Sequence, residues 1–281
     1  MSTDATDVVD EAIAEDLRPE KRTARRDRWL GLGSFAVMLG IWFAVTGSGL
    51  WPPLVSPTFL PSPVTVAKTF WKLANSGYQG HTLAHHFLVS LMRFGLAFAI
   101  CVVIGVPVGL LMGMHSGVRA ALDPPIETTR PIPKLALLPL FIIWFGIGEL
   151  SKTIVIIAAL FPLISISAMQ AVRSVSIRKI QAAQSLGANR ATIFRRVLLP
   201  ASLPGIFTGL RVSVGIGVTM LVGAEMVATS DGIAWMALTA ADFLQTDIVL
   251  VGVLIMAALG YGLDQMFRAL ERRAVHWAGR D

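Results

Sequence analysis

An all-α membrane protein of six transmembrane helices is the fold class this sequence predicts, and three observations predict it. Of its 281 residues, 54% are hydrophobic and 15% charged, where soluble chains carry about 25% charged residues. Its apolar runs have helical length and lack the ten-residue alternation of a barrel, the other architecture that satisfies every backbone group in lipid. Lys and Arg fall on one side of these runs nineteen times and on the other three times, at Lys68, Lys72 and Lys152. By the positive-inside rule that bias puts both termini in the cytoplasm, and it explains the net charge of +6 without nucleic acid as a partner.

Residues 1–29 read as a cytoplasmic tail, acidic as far as Asp16 and then basic, with Lys21, Arg22, Arg25, Arg26 and Arg28 ahead of the first apolar run. That run, 30–47, is about 27 Å long as a helix, enough to cross the hydrocarbon core. It lacks the A-x-A site of a cleaved signal peptide. The rest of the 30–84 segment reads as periplasmic and interfacial. Pro52, Pro53, Pro57, Pro61 and Pro63 punctuate it, and 64–74 combines apolar Val64, Val66, Phe70 and Trp71 with Lys68 and Lys72, as a helix lying at the membrane surface does. A core domain over 85–270 supplies five more spans at 85–113, 121–147, 152–173, 204–228 and 247–268, with a cytoplasmic loop at 174–203. A cytoplasmic tail, 271–281, follows. Pro131, Pro133 and Pro139 should break or kink the 121–147 span, which makes it a candidate pathway wall.

Within the cytoplasmic loop, 181–200 forms a polar, basic island in an otherwise apolar chain. The spacing predicts a helix over 181–186, a turn or C-cap at Gly187, an N-cap at Asn189, and a second helical segment that stops before Pro200. The island resembles the cytoplasmic loop shared by the permeases of binding-protein-dependent ABC importers. That loop has an E-A-A triplet, a Gly four residues later and an apolar-x-Leu-Pro ending, matched here by Ala182, Ala183, Gly187, Val197, Leu199 and Pro200. Gln181 stands where the family usually has Glu. Further matches lie in Leu60-Pro61-Ser62-Pro63, Ser90-Leu91-x-Arg93, Arg130-Pro131-Ile132-Pro133, Leu138-Pro139-Leu140 and Trp144-Phe145-Gly146-Ile147-Gly148-Glu149-x-Ser151-Lys152. They resemble the nitrate/sulfonate/taurine branch, and Phe243-Leu244-x-Thr246-Asp247 leans toward its taurine permeases.

The resemblance implies a type I ABC importer permease fold in the bacterial inner membrane. It also implies a second, identical permease copy, two ATPase subunits and a periplasmic substrate-binding protein as partners, with lipid around the spans. The substrate class it points to is taurine or a related aliphatic sulfonate. Nitrate, another small organic anion or an aromatic carboxylate is the alternative. No G-x-x-x-x-G-K-[ST] phosphate loop occurs, so the energy source is a separate chain; ATP and Mg belong to the ATPase, and this chain carries no cofactor and no catalytic residue. The ATPase-coupling residues would be Gln181, Ala182, Ala183, Gln184, Ser185, Leu186, Gly187, Ala188 and Asn189, where small side chains allow close backbone approach. A secondary transporter would need a second, inverted half. A membrane enzyme would need clustered nucleophiles or metal ligands. Neither is legible.

Charges inside spans cost several kcal/mol and need a reason. Arg93, Glu127, Arg211, Glu225 and Asp264 are the cases. Glu127 pairs by spacing with Arg130 and Asp264 with Arg268. Arg93 and Glu225 lie in the outer halves of their spans and suit one another. For Arg93, Arg211 and Glu225 two roles stand open, locking the bundle or lining a polar route with Pro139. Gly205, Gly209, Ser213 and Gly217 form a small-residue stripe suited to close helix packing. His81, His85 and His86 have no carboxylate or cysteine spaced to complete a metal site. Cys101, the single cysteine, reads as a small core residue.

Overall fold

The computed structural model describes residues 23–47, 51–227 and 229–275. Most of the 1–29 tail and the end of the 271–281 tail lie outside them. The chain divides into two compact units, Met1–Thr65 and Val66–Asp281.

In the first unit, α1 (Thr23–Thr46) is the first expected span, and its outward side chains, Trp29, Leu30, Phe35 and Ile41 among them, are exposed as lipid-facing residues are. The helix ends at Gly47, whose φ of +70° suits glycine and whose N–H reaches Phe43 O at 3.1 Å. The Pro-rich stretch after it folds back along the helix end. Trp51 Nε1 donates to Ala44 O at 2.8 Å and Trp42 Nε1 to Pro61 O at 3.1 Å, so both indoles find acceptors at the edge of the apolar zone. The amphipathic helix expected at 64–74 is α2 (Pro63–Ser76), which crosses the boundary between the units.

The second unit is built on α3 (Leu83–Met114), α6 (Glu149–Arg173) and α9 (Leu199–Glu225). Phe94, Ala97, Cys101, Val155, Leu160 and Leu221 are buried at their junction. Cys101 is a core residue as expected, its thiol directed at Ile157 O. Small residues set the helix spacing. A Cβ on Gly109 would fall 2.2 Å from Ser165 O, one on Gly209 would fall 2.3 Å from Ser167 Cβ, and one on Gly217 would fall 2.6 Å from the Phe94 ring. The stripe on α9 therefore serves close packing, of the kind that holds helices together where lipid offers no hydrophobic drive. Later come α10 (Ile233–Asp242) and α11 (Thr246–Ala274). Thr69 on α2 donates to Asp247 at the start of α11 at 2.6 Å.

One expectation holds and one changes: the prolines break the 121–147 span, as expected. The 121–147 span is not one helix. It is α4 (Ser116–Thr129), a 3₁₀ turn (Lys134–Leu137) and α5 (Leu138–Phe145), because Pro131 and Pro133 lack the N–H groups that would continue the helical ladder. Five helices among the described residues are long and apolar enough to cross a membrane, and Lys134–Phe145 is a shorter apolar helical stretch. In the break, the Lys134 ammonium donates to Thr129 O. The expectation that changes concerns the helical segment after Asn189, which does not stop at Pro200. Residues 190–193 form α8 (Arg190–Ile193), Phe194–Leu198 forms a π turn closed by Leu199 N–H on Phe194 O, and α9 continues from there. The wider turn accommodates the proline ring without ending the helix.

Candidate functional site

Four elements converge on Arg93, in the third turn of α3. Its side chain is 1% exposed, and every partner is a carboxylate. Nε and Nη2 grip Glu149, the first residue of α6, at 2.6 and 2.7 Å; Nη1 donates to Glu225, the last residue of α9, at 2.7 Å; and Nη2 also reaches Asp231 at 3.3 Å. A guanidinium presents its donors in a rigid planar fork, which is why one Arg can tie together groups from three directions. Lys152 adds a second cation on Glu149 at 3.0 Å.

Glu225 has a wholly buried side chain, so its charge needs full compensation. Beyond Arg93 it accepts from Ser90 Oγ at 2.7 Å and from Ala234 N–H at 3.0 Å. The latter is one of the free donors at the start of α10. Ile233 N–H bonds Ser90 Oγ at 2.9 Å and Gly232 N–H bonds His86 Nδ1 at 3.2 Å. The first turn of α10 thus rests on three side chains of neighbouring helices, with a carboxylate at its positive end. Since His86 Nδ1 accepts, Nε2 carries the proton and donates to Tyr78 O at 3.2 Å. His85 lies 3.4 Å from Asp231 and stacks on His81. Among the described residues no group of three His, Cys, Asp or Glu side chains could hold a metal ion.

The Arg93–Glu225 pair that the sequence suggests is present, as are Glu127–Arg130 at 3.0 Å and Asp264–Arg268 at 2.7 Å. Of the two roles open to Arg93 and Glu225, this geometry supports the lock. Four hydrogen bonds from Arg93 to carboxylates occupy most of a guanidinium's five N–H groups, and Glu225 faces no open space. Sequence reasoning missed Glu149, Asp231, Ser90 and His86. Their signals were available: Glu149 opens a helix after two glycines, Asp231-Gly232 is a turn dipeptide, and Ser90 lies one turn before Arg93 on the same helix face.

Arg211 is placed differently. Its side chain is 25% exposed, with Nε on Asp264 of α11 at 3.1 Å and Nη1 near Glu271 at 3.5 Å. The pair borders an open chamber of about 490 Å³ between α9 and α11. Pro139 sits in the first turn of α5, where its missing N–H costs nothing.

The island forms its own site. In α7 (Ile177–Ser185), Gln181, Ala182, Gln184 and Ser185 are exposed, as are Leu186 and Gly187 beyond it. Gly187 has φ +76° and its N–H on Gln184 O at 2.9 Å. Asn189 caps α8 as expected, its side chain accepting from Thr192 N–H at 2.8 Å. Leu186, 88% exposed, is an apolar knob that the described residues leave uncovered.

Long apolar helices locked at one end by an ion network, with a polar helical knuckle elsewhere, define a multi-pass membrane protein. Residues 105–276 match the model of the binding-protein-dependent transport system inner membrane component family, and the chain belongs to that family. It is 43% identical over 270 residues to the taurine transport system permease protein TauC of Escherichia coli, covering 92% of this chain and 97% of TauC. It is 36% identical over 279 residues to the putative aliphatic sulfonates transport permease protein SsuC of Bacillus subtilis, covering 99% and 98% of the two chains. An inward-facing MetNI methionine ABC transporter has the same fold, with a TM-score of 0.54 at 20% identity over 66% of this chain and 95% of that one. The protein is therefore a non-catalytic, multi-pass permease subunit of an ABC importer in the inner membrane, and it works with a separate ATPase and a binding protein.

Proposed function

We propose that two copies of this chain, with two ATPase subunits that bind ATP and Mg, form the path by which taurine or a related aliphatic sulfonate enters the cell from a periplasmic binding protein. The observation that carries this reading is the 43% identity with TauC along nearly the whole of both chains. The nineteen-to-three charge bias supports cytoplasmic termini and a cytoplasmic 174–203 loop. Residues 181–189 are the contact for the ATPase: a rigid knuckle held between two long helices turns displacement of its partner into movement of those helices. Pro139 and Arg211 belong to the pathway wall, and Arg93 with Glu225 holds the bundle end that frames it.

The test is reconstitution of the permease with its ATPase and binding protein in liposomes, with ATP on the ATPase side and labelled taurine on the other. Uptake of taurine that requires both ATP and the binding protein is the expected result. Uptake of longer alkanesulfonates without taurine would move the assignment to the second reading, favoured by the 36% identity with SsuC. Uptake of neither sinks both.

A further inference from the structure

Arg93 and Arg211 are the arginines in the interiors of the spans, and their surroundings differ in kind. Arg93 is sealed and bonded to three carboxylates. Arg211 opens onto a chamber, and its Nη2 has no hydrogen-bond partner among the described residues. Asp264 borders the same space. Its Oδ1 accepts from Arg211 and its Oδ2 from Arg268, which approaches along α11. Apart from this pair and Thr219 the walls are apolar or glycine. Among the described residues no atom beyond its own helix turn lies within 4 Å of where a Cβ on Gly215 would sit, and the nearest to one on Gly260 is Val218 at 3.8 Å, so the chamber is wide beside the charges.

We propose that Arg211 and Asp264 are the solute contact of the pathway, Arg211 taking the sulfonate and Asp264 the ammonium of a zwitterionic aminosulfonate; this rests on the taurine reading above. A planar guanidinium suits a tetrahedral oxyanion because two parallel N–H groups meet two oxygens. The empty site is already electrically paired, so it carries no stranded charge in the membrane. A zwitterion of zero net charge enters by exchanging partners with the pair, which leaves the charge of the site unchanged. That exchange keeps the well shallow, and conduction needs a contact that releases as readily as it binds. The volume, about 490 Å³, lies within the range of small-molecule sites. The space also continues. A second, apolar chamber of about 330 Å³ shares Val222 and Met256 with the first and reaches Met226. From Arg211 to Met226 a helix rises about 22 Å, most of a hydrocarbon core of ~30 Å.

The experiment measures taurine imported per ATP hydrolysed in liposomes holding the complete complex and binding protein. Arg211→Gln and Asp264→Asn are each expected to lower this ratio about tenfold while binding-protein-stimulated ATP hydrolysis stays within about twofold of wild type. Gly215→Leu, which fills the chamber without touching a charge, is expected to do the same. A structural role for the ion pair predicts another pattern, with uptake and hydrolysis falling in step and the neutral double variant Arg211→Gln/Asp264→Asn regaining uptake. Either result overturns the proposal, as does full uptake per ATP by Gly215→Leu if the charge variants fail to assemble. A wild-type complex that hydrolyses ATP under binding-protein control but imports no taurine defeats the taurine reading itself and takes this inference with it. Taurine import by wild type alongside unaffected variants defeats the inference alone.

Discussion

Glu225 and Gly232 meet so closely that the hydrogen in place of a side chain on Gly232 is required: a Cβ there would lie 2.5 Å from Glu225 Cδ and 2.6 and 2.7 Å from its two oxygens. The backbone at Gly232 has φ +113°, which L side chains rarely adopt. Glu225 cannot retreat, because Ser90, Arg93 and Ala234 hold it. Gly232→Ala should therefore cost at least the ~1–3 kcal/mol of a strained backbone position. The expected readout is a fall of several degrees in the melting temperature of the purified subunit, and an unchanged melting curve would refute the packing.

Removing Arg93 leaves Glu225 charged, buried and short of its cation. Breaking a buried pair in this way costs about 3–5 kcal/mol, so Arg93→Ala should give little complex in size-exclusion assays with the ATPase. Arg93→Lys should fall between, since one ammonium cannot reach Glu149, Glu225 and Asp231 together. Adding Glu225→Gln to Arg93→Ala should restore part of the yield, because a glutamine carbonyl still accepts from Ser90 or Ala234. Normal yield and melting by Arg93→Ala with loss of uptake alone would place Arg93 in the path of the solute instead.

What was legible in the sequence was what local rules control. Apolar runs of spanning length gave α1, α3, α6, α9 and α11 within a few residues at most ends, and proline positions gave the break in the 121–147 run. Asn189 and Gly187 were readable because a cap and a turn depend on neighbours three or four residues away. Arg93–Glu225 was readable because an uncompensated charge in a span demands a partner. Asp231 escaped because it lies in a short loop whose place over α3 depends on how α9 and α10 pack. Arg211–Asp264 escaped because the sequence offers Arg268, four residues from Asp264 on one helix face, as a sufficient partner. The run through Pro200 was misread because a π turn arises from the whole helix continuing, and no single residue announces it.

Sidedness is testable at two exposed positions. In a Cys101→Ser background, Gln245→Cys lies in the turn between α10 and α11, and Arg190→Cys begins α8. If the charge bias governs topology, a membrane-impermeant maleimide applied to intact cells labels position 245 and reaches 190 only after the membrane is opened. Labelling of 190 in intact cells would invert the map and move the island away from the ATPase.

The coupling site can be probed without damage to the permease, because strain and bulk separate at Gly187. At φ +76° any L residue pays the left-handed cost, ~1–2 kcal/mol. Yet among the described residues no neighbouring atom lies within 4 Å of the Cβ position, so a larger side chain there points into open space. Gly187→Ala and Gly187→Leu therefore share the backbone penalty and differ in what they present to a partner. Both should reach the membrane and melt within a few degrees of each other. Gly187→Ala should keep most ATPase binding, whereas Gly187→Leu should weaken it about tenfold, ~1.4 kcal/mol, by holding the partner surface off Ala182 and Ala183. Gln181→Glu should bind as well as wild type or better, since the side chain at 181 is exposed and its backbone carbonyl, which accepts from Ser185 Oγ at 3.1 Å, is unaffected by the change. Equal losses by Ala and Leu would show that the turn geometry matters and the surface does not. Wild-type binding by both would mean that the ATPase docks elsewhere.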